Sequence, residues 1–528
     1  MAENHANTEQ DILQMYKRTG QAIKAIDKEH ISRRNRIKAQ KLQQLLHTNQ
    51  KLGNKMLTGQ YQRANTVALH AVTDDKGGVT RTEKRVMQVV TNYYTAKMQA
   101  VSGVKNGLYL PEDKERDYPW QQAGAQDAFN LTTAAQVVRD SGTDLHAHIS
   151  DEQAFMACIR TLSHGKAPGP DGVINELLQL LPRSAHTAIH ALFQIMWATS
   201  ITPTAWKESM TVLLYKHKGT PLSLDYYRRI GLENTLYKVW TRMITFSMVD
   251  YAERHNLLSG TQAGFRGQRS TADQLEVLTM LLEDAKKARQ DLYLMMIDFS
   301  EAFDTIDHDK LLMILYDLGF TTDAIEAVKN LYTGATTRVR IPGGTTDPIP
   351  INRGTIQGDS LSPFLFIIYL EPLLRWLRAS SGGLPRGYTP GHMLHTETTH
   401  LYHHTIPDVT YADDLNLLTG SASNMQIQAD KVTKYAKWGH LRPNCNKTLL
   451  TGIMYNSCPD DPTSLSRLTS KLKRVKLAKQ RPQIHPATDP FRYLGVHFTM
   501  TLSWAAQYQN TYTTLKSQLG GLATATVT

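Results

Sequence analysis

Two strand-like apolar segments of the chain end or turn at acidic residues. The run LYLMMI, residues 292–297, carries no charged side chain and predicts a buried strand that stops at Asp298. The segment VTYADDLNLL, residues 409–418, is mostly apolar and alternates like a strand, but Asp413 and Asp414 stand in its middle. If the two strands are neighbours, the three carboxylates converge.

Carboxylates placed side by side repel each other and lose hydration, so we expect a cation among them. Carboxylate oxygens are ligands of hard divalent cations, and the expected ion is Mg²⁺, with Mn²⁺ as the alternative. Two such ions about 4 Å apart are the general device for in-line phosphoryl transfer. The acids therefore indicate metal-dependent phosphoryl transfer; for YADD alone, the alternative is that they cap turns.

The pattern also predicts local elements on either side of these strands. VTDDKGGVT, residues 72–80, has the Asp and Gly residues of a hairpin turn, and residues 82–98 form the pattern of an amphipathic helix. Residues 362–377, SPFLFIIYLEPLLRWL, predict a strongly apolar core helix. We expect Ser362 as its N-cap and Pro363 at its first helical position.

The charge balance indicates an anionic partner. The 528 residues carry a net charge of +11, with a pI of about 9.3, which favours nucleic acid. Residues 1–60 hold 11 Lys or Arg against 5 Asp or Glu and predict a basic helical arm. The three cysteines fit neither a zinc knuckle nor a disulfide framework. Without a signal peptide or membrane-spanning run, we expect the nucleus or cytoplasm, not secretion or a membrane.

A series of motifs, in order, resembles the reverse transcriptases of LINE-type (non-LTR) retrotransposons. They are KAPGPDGV (166–173), DYYRRIGLENTLYKVWTRMI (225–244), QAGFRGQRSTADQL (262–275), DFSEAFD (298–304), QGDSLSP (357–363), YADD (411–414), LRPNCNKT (441–448) and FRYLGVHFT (491–499). The order of so many motifs is far more specific than any one of them.

The resemblance implies an α+β fold, a right-hand polymerase with palm and fingers and a small antiparallel sheet backed by helices. It also implies a truncated thumb and a helical N-terminal extension. The expected divisions are a basic extension (1–102), a linker with short elements (103–163), fingers (164–290), a palm (291–500) and a partial thumb or frayed tail (501–528). The ends look too short for a full thumb or an endonuclease, so we expect a fragment of a longer protein.

The resemblance assigns catalytic roles to four side chains. Asp298 and Asp413 would bridge two Mg²⁺ ions, and Asp414 would be a weaker or indirect ligand. Lys447 matches a lysine that protonates the leaving pyrophosphate; a solvated loop lysine is the alternative.

The resemblance also implies contacts with the incoming dNTP. Lys216 and Arg228 match positions that hold the triphosphate, for which Arg is the better fork and Lys a point charge. Arg229 departs from the family, which usually has proline there, and we expect a change in loop stiffness.

Three further residues would act on the nucleotide. Phe303, five residues after Asp298, would clash with a ribose 2′-OH and so select deoxynucleotides; a core phenylalanine is the alternative. Gln357 and Gly358 would contact the template–nucleotide pair, since glycine allows close approach.

Contacts with nucleic acid are expected in two places. Tyr493, Leu494 and Gly495 match the turn that grips the primer end, and a plain hairpin is the alternative. Residues 470–481 hold six basic residues and no acid, alternating with Leu472, Val475 and Leu477. The predicted phosphate contacts, or alternatively a solubilising surface, are Lys471, Lys473, Arg474 and Lys476.

A histidine-rich insertion separates two of the motifs. It holds His392, His395, His400, His403 and His404 without a partner cysteine, and we expect a mobile loop rather than a zinc site.

These observations predict an RNA-directed DNA polymerase that uses an RNA template, a DNA primer and dNTPs. One alternative is an inactive or weakly active RNA-binding remnant. The other is an RNA-directed RNA polymerase, against which stand Phe303 and the absence of an Asn from QGDSLSP.

Overall fold

The computed structural model describes residues 69–99, 117–120, 145–356, 358–379, 389, 391–393 and 405–526. By internal contacts the chain forms two compact units, Met1–Thr66 with Gln507–Thr528, and Val67–Ala506. All the described strands lie in the second unit. The predicted basic arm and residue Gln357 lie outside the described residues.

The described residues form thirteen α-helices and sixteen strands, so the fold is mixed α/β. The helices are α1 (Glu83–Met98), α2 (Ala147–Ser150), α3 (Glu152–Arg160), α4 (Asn175–Gln179), α5 (Arg183–Thr199), α6 (Thr235–Arg254), α7 (Thr271–Lys287), α8 (His308–Asp317), α9 (Thr322–Tyr332), α10 (Ser362–Arg378), α11 (Ala422–Trp438), α12 (Leu465–Leu472) and α13 (Ala505–Thr526). Short 3₁₀ helices cover Thr204–Trp206, Leu224–Tyr226 and Ala302–Thr305.

The strands are mostly short and fall into five sheets. They are β1 (Val72–Thr73), β2 (Val79–Thr80), β3 (Glu208–Tyr215), β4 (Tyr227–Leu232), β5 (Asp291–Ile297), β6 (Thr336–Ile341), β7 (Gly344–Thr345), β8 (Ile349–Pro350), β9 (His392–Met393), β10 (Thr405–Ile406), β11 (Asp408–Tyr411), β12 (Asp414–Thr419), β13 (Leu449–Met454), β14 (Gln483–Ile484), β15 (Phe491–Tyr493) and β16 (Val496–Phe498). Hairpin β1–β2 and helix α1 confirm the prediction for residues 72–98.

The sheet that we call the carboxylate sheet has the strand order β11-β12-β5-β13-β14. All its strand pairs are antiparallel except β13 with β14, which are parallel. The prediction of an antiparallel sheet therefore holds for every pair but this one. Along β5 the side chains alternate between two hydrophobic clusters: Tyr293 and Met295 join the largest cluster, while Leu292 and Leu294 join another. Because both faces of the strand are covered, its sequence is a continuous apolar run.

A second five-stranded sheet, called the arginine sheet after Arg228 and Arg229, has the path β4-β3-β6-β7 with β8 also on β6. Strand β4 is an edge strand and β3 pairs with β6 in parallel. Val86 and Val90 of α1 pack in one cluster with Val339 of β6. Helix α1 thus packs with this sheet, while the predicted boundary at residue 102 stays a prediction, as do the other divisions.

Helix α10 is the apolar core helix that the sequence predicts, but its start differs from the prediction by one residue. The helix begins at Ser362, so Leu361 is the N-cap and Pro363 follows the first helical residue. The Ser362 hydroxyl donates to the carbonyl of Ile356 at 2.9 Å instead of capping the helix. The prediction of Ser362 as N-cap is therefore wrong.

Among the helices that the structure describes, none is both long and apolar enough to cross a membrane. The nuclear or cytoplasmic location stays a prediction.

Candidate active site

Strands β11 and β12 form a tight hairpin that carries two of the predicted catalytic acids. Tyr411 pairs with Asp414, which leaves Ala412 and Asp413 as the two residues of the turn. Ala412 has a φ of 56°, in the left-handed region that L-residues seldom occupy. The sharp turn explains how two acids interrupt an apolar strand: they lie where the chain reverses, before the buried residues of β12.

The third acid reaches the same place because β5 is the neighbour of β12. Leu415 is paired with Ile297 in antiparallel register, so the next pair outward is Asp414 with Asp298. The predicted neighbourhood of the two strands is confirmed. Both carboxylate-bearing ends meet at one edge of the sheet.

The pKa values of Asp413 and Asp414 are raised in part by the charges of neighbouring carboxylates. Burial, followed by the charges of Asp413 and Asp298, raises the pKa of Asp414 to about 6. Burial also raises the pKa of Asp413, with a backbone hydrogen bond opposing it and the Asp298 charge adding to it. In the absence of a cation, negative charge is therefore disfavoured at this edge.

The loop that follows α11 pairs with the backbone around Asp298. The amide of Asn444 donates to the carbonyl of Asp298 at 2.7 Å, and Phe299 forms a β-bridge with Pro443. The loop brings the Lys447 ammonium to 3.4 Å from the Asp298 carboxylate. Lys447 is thus an exposed partner of a predicted metal ligand, as well as a candidate acid.

The donor set suits a hard divalent cation, since it consists of carboxylate oxygens at the meeting point of two strands. Within the described ranges, however, no three acidic, histidine or cysteine side chains are grouped closely enough to hold a metal ion. The strand register aligns Asp298 with Asp414 beside the turn residue Asp413, and the three side chains do not form a closed ligand set. The raised pKa values are the observation that favours a cation here, because the clustered negative charge is not neutralised.

Phe303 lies in the 3₁₀ helix that follows Asp298. Its ring is 4.9 Å from the ring of Phe366 in α10 and 6.4 Å, edge-on, from that of Phe265. One side of Phe303 therefore packs on the core, and the ring is only partly buried. The geometry is compatible with both the steric role and the core role.

Lys216 and Arg228 lie at the paired ends of β3 and β4. Burial lowers the pKa of Lys216, and the charges that act on it include Glu301 and Arg228. Its ammonium donates to the carbonyl of Asp225 at 2.8 Å. Arg228 is exposed. Since the charges of both Arg228 and Glu301 act on Lys216, the two cations lie near the segment that follows Asp298.

Arg229 points to the opposite face of β4 from Arg228, as strand alternation requires. It forms a salt bridge with Asp304, and the two side chains are only 12% and 8% exposed. The guanidinium also lies over the ring of Tyr94 in α1, 5.6 Å from its centre. The residue that replaces the usual proline thus joins β4, α1 and the segment that carries Phe303.

Gly358 has a φ of 128°, and a Cβ placed there would lie 2.7 Å from the carbonyl oxygen of Gly231 in β4. The need for glycine is therefore explained by contact with the arginine sheet. The predicted contact with a base pair is not required to account for it.

The predicted primer-grip residues form the turn of hairpin β15–β16. Tyr493 pairs with Val496, and the two turn residues, Leu494 and Gly495, have φ of 46° and 90°. Burial, with the charge of Asp414 next, raises the pKa of the Tyr493 phenol. This hairpin is therefore close to Asp414, one of the predicted metal ligands.

The basic segment at residues 470–481 follows the predicted alternation. Leu472, Val475 and Leu477 are buried. The four predicted phosphate contacts are exposed: Lys471, Lys473, Arg474 and Lys476. Gln426 of α11 holds the segment by accepting from the amide of Lys476 at 2.7 Å.

Only part of the histidine-rich insertion is described. His392 is buried in β9, with its Nε2 3.0 Å from the Asp284 carboxylate of α7. His395, His400, His403 and His404 lie outside the described residues, and the mobile loop stays a prediction.

One residue of the QAGFRG block contacts the turn of hairpin β11–β12, although the sequence analysis assigns no role to it. The side-chain oxygen of Gln262 accepts from the amide of Ala412 at 2.8 Å. The contact could not be predicted from local sequence, because the two residues are 150 positions apart and meet only in the fold.

Comparison with known proteins identifies the family to which these motifs belong. The family model described as reverse transcriptase (RNA-dependent DNA polymerase) matches residues 215–498. The chain is 26% identical over 365 residues to the probable RNA-directed DNA polymerase from transposon BS of Drosophila melanogaster, covering 68% of the chain and 37% of the relative.

Two further relatives from Drosophila melanogaster are similar at the same level. The RNA-directed DNA polymerase from mobile element jockey is 24% identical over 351 residues, 65% of the chain and 34% of the relative. The retrovirus-related Pol polyprotein from type-2 retrotransposable element R2DM is 23% identical over 430 residues, 80% of the chain and 37% of the relative. The chain spans little more than a third of the length of these relatives. Since the family model covers more than half of the chain, the chain belongs to the reverse transcriptase family, as the sequence motifs predict.

Proposed function

We propose that the chain catalyses RNA-directed DNA synthesis. The primer 3′-oxygen attacks the α-phosphorus of a dNTP paired with an RNA template, a new P–O bond forms, and pyrophosphate leaves. The observation that carries this proposal is the register of β5 and β12, which aligns Asp298 with Asp414 beside the turn of Asp413. The names of the relatives, RNA-directed DNA polymerases of mobile elements, support it.

In this proposal the carboxylate sheet is the palm and the arginine sheet belongs to the fingers. Support comes from Lys216, whose charge interacts with Glu301 and Asp304 of the segment that follows Asp298. Lys216, at the end of a strand of the second sheet, thus lies near the segment that follows Asp298, where a triphosphate would be an anion for this cation and for Arg228. The truncated thumb stays a prediction from the sequence.

Asp298, Asp413 and Asp414 are the residues that would hold Mg²⁺, with Mn²⁺ as the substitute. When bound, such cations supply Lewis-acid stabilisation of the charge that develops on the phosphate oxygens. The carboxylates themselves orient the site, because the hairpin and β5 fix their backbones.

The remaining roles belong to side chains around this edge. Arg228 offers a guanidinium fork to the triphosphate, and Lys216 adds a point charge. Phe303 excludes a 2′-OH by its bulk. Lys447, now bonded to Asp298, would carry the proton to the leaving pyrophosphate once the carboxylate has another cationic partner.

Nucleic acid would be bound by the exposed cations of residues 471–476 and by the hairpin that holds Tyr493, Leu494 and Gly495. The hairpin lies close to Asp414, where a primer end must be placed for reaction. The basic segment would contact phosphates, since exposed Lys and Arg side chains are common donors to phosphate oxygens.

The decisive experiment is primer extension on an RNA template with dNTPs and Mg²⁺. We expect Asp413→Asn to lower the rate of extension by about 10³-fold or more, because a metal contributes several kcal/mol to phosphoryl transfer. Binding of the primer–template, followed by fluorescence anisotropy, should stay within about threefold of the wild type, because the basic surface is untouched.

Asp291→Asn is the matched control, since Asp291 begins the strand that ends beside Asp298. It should extend the primer nearly as fast as the wild type. A wild-type chain that binds RNA but never extends would support the inactive remnant. Extension with rNTPs in preference to dNTPs would support an RNA polymerase.

A further inference from the structure

The turn that delivers the catalytic acids is held in an unfavourable backbone conformation. Ala412, with its φ of 56°, precedes Asp413 directly. The Cβ of a left-handed alanine crowds the following carbonyl oxygen, so an isolated hairpin would favour other turn geometries. The surrounding structure must therefore supply contacts that favour this one.

Gln262 supplies those contacts. Its side-chain oxygen accepts from the amides of Ala412 and Gly264, both at 2.8 Å, and its side-chain nitrogen donates to the carbonyl of Ala412 at 3.3 Å. The side chain is 0% exposed. One buried amide thus satisfies both backbone groups of the strained residue.

The backbone around Gln262 lies along the hairpin as well. The amide of Ala263 donates to the carbonyl of Thr410 at 3.0 Å, and the amide of Thr410 donates to the carbonyl of Thr261 at 3.1 Å. A Cβ on Gly264 would lie 2.2 Å from the amide nitrogen of Ala412. Segment 261–264 therefore fits against β11 and its turn.

Arg266 fixes this segment from behind. Its guanidinium donates to the carbonyls of Ser259 and Gln262 at 2.8 and 3.1 Å, and it holds the Glu253 carboxylate with two hydrogen bonds of 2.7 and 2.6 Å. The Gln262 backbone is thus tied to α6 as well as to the hairpin, so its side chain has an anchor outside the turn that it holds.

We infer that Gln262 is a positioning residue for the reaction: it holds Ala412 in the left-handed conformation and so aims the Asp413 carboxylate. This inference rests on the proposed function for its effect on rate. Gln262 touches only backbone of the turn, so it acts through Asp413 and not on a substrate. A displacement of about 1 Å at such a site lowers a rate by about 10²-fold.

The test compares Gln262→Met with the wild type. Methionine has a similar length but makes none of the three hydrogen bonds. We expect kcat for dNTP incorporation to fall by about 30- to 100-fold, with KM for dNTP and Kd for the primer–template within about threefold. Gln262→Glu keeps the acceptor oxygen and loses the donor nitrogen. Its kcat should lie between the values for the wild type and for Gln262→Met.

Rescue separates positioning from general stability. Glycine adopts a positive φ without the cost that alanine carries. Ala412→Gly added to Gln262→Met should therefore recover kcat by at least fivefold over Gln262→Met alone. Gln428→Met is the control. Gln428 lies in α11, is also fully buried, and donates to the backbone carbonyl of Leu377 at 3.0 Å. It should lower the melting temperature and leave kcat nearly unchanged.

Hydrogen exchange of residues 409–418 gives a readout that does not need activity. Gln262→Met should expose the Ala412 amide to exchange, and Gln428→Met should not. If the wild type does not extend primers but this protection is lost in Gln262→Met, the proposed function fails and the positioning role stands. If the wild type extends and Gln262→Met keeps kcat within threefold, or Ala412→Gly gives no recovery, the positioning role is overturned.

Discussion

Charged side chains are balanced in opposite ways in the two five-stranded sheets. In the arginine sheet, Arg229 is buried together with Asp304, and each neutralises the other. In the carboxylate sheet, Asp413 and Asp414 lie beside Asp298; burial raises the pKa of both, the charge of Asp298 adds to both shifts, and that of Asp413 adds to the shift of Asp414. The only cation bonded to this trio among the described residues is Lys447, on Asp298, and it is largely exposed.

The difference separates structural charge from functional charge. A buried pair whose partners come from two segments holds these segments together and leaves no charge for a ligand. A cluster of like charges destabilises the protein that carries it, and such clusters are typical of sites where a cation binds. The same contrast explains why Arg228 and Arg229, adjacent in sequence, are assigned different tasks.

The strongest test of the contrast is to break the compensated pair. Arg229→Met removes the guanidinium that pairs with the buried Asp304 carboxylate, which costs about 3–5 kcal/mol of unfolding free energy. Chemical denaturation followed by circular dichroism measures it. Adding Asp304→Asn should restore most of the loss, because it removes the buried carboxylate charge that Arg229 neutralises. A loss below about 1 kcal/mol in the single variant would show that water already screens the pair.

The exposed cations at residues 471–476 test the uncompensated side of the contrast. Replacing Lys471, Lys473, Arg474 and Lys476 together by Gln should flatten the slope of log K against log salt by up to about 3 to 4 units, if all four touch phosphate. The measurement is primer–template binding at several salt concentrations.

The control for that variant carries the same change in charge elsewhere. Its four exposed sites are Lys84, Arg85, Lys286 and Lys287. This control should keep the wild-type slope. Equal slopes for both variants would mean that residues 471–476 only make the surface soluble.

Phe303 stands between the two regions, next to Asp304 and five residues beyond Asp298. Phe303→Ala should lower the ratio of kcat/KM for dNTP over rNTP by about 10- to 100-fold, because removing a steric barrier admits the 2′-OH. Primer extension with each nucleotide measures the ratio. Phe320→Leu, a change of a fully buried ring, is the control and should keep it. An unchanged ratio in Phe303→Ala would assign Phe303 to the core alone.

Local sequence predicted what depends on local pattern. The apolar run before Asp298, the two acids in a turn and the buried Leu472, Val475 and Leu477 follow from periodicity, and the structure agrees. The start of α10 was misplaced by one residue because Ser362 bonds to the Ile356 carbonyl, outside the helix.

Contacts between segments that are distant in the sequence could not be predicted from the local pattern of residues. Gln262 meets Ala412 across 150 residues, and Arg229 meets Asp304 only once β4 lies against the segment after β5. A departure from the family pattern, Arg for Pro, marked the second contact without revealing its partner. The parallel pairing of β14 likewise depends on how the chain returns to the sheet.

The smallest effect is the one that tests the cost of the carboxylate cluster itself. The folded-state pKa of Asp414 is raised to about 6 from its ordinary 3.8, so its contribution to stability is fully present below pH 3.8 and is lost as the pH rises through about 6. In EDTA, the unfolding free energy of the wild type should therefore fall between about pH 4 and 7, and that of Asp414→Asn should fall less. At pH 7 the variant should be more stable by at most about 1 kcal/mol, since solvent screens this partly exposed group. Asp460→Asn, at an exposed turn, is the control and should follow the wild type. If Asp414→Asn were less stable than the wild type at pH 7, the carboxylate would already have a compensating partner, and the two sheets would not differ in the way described.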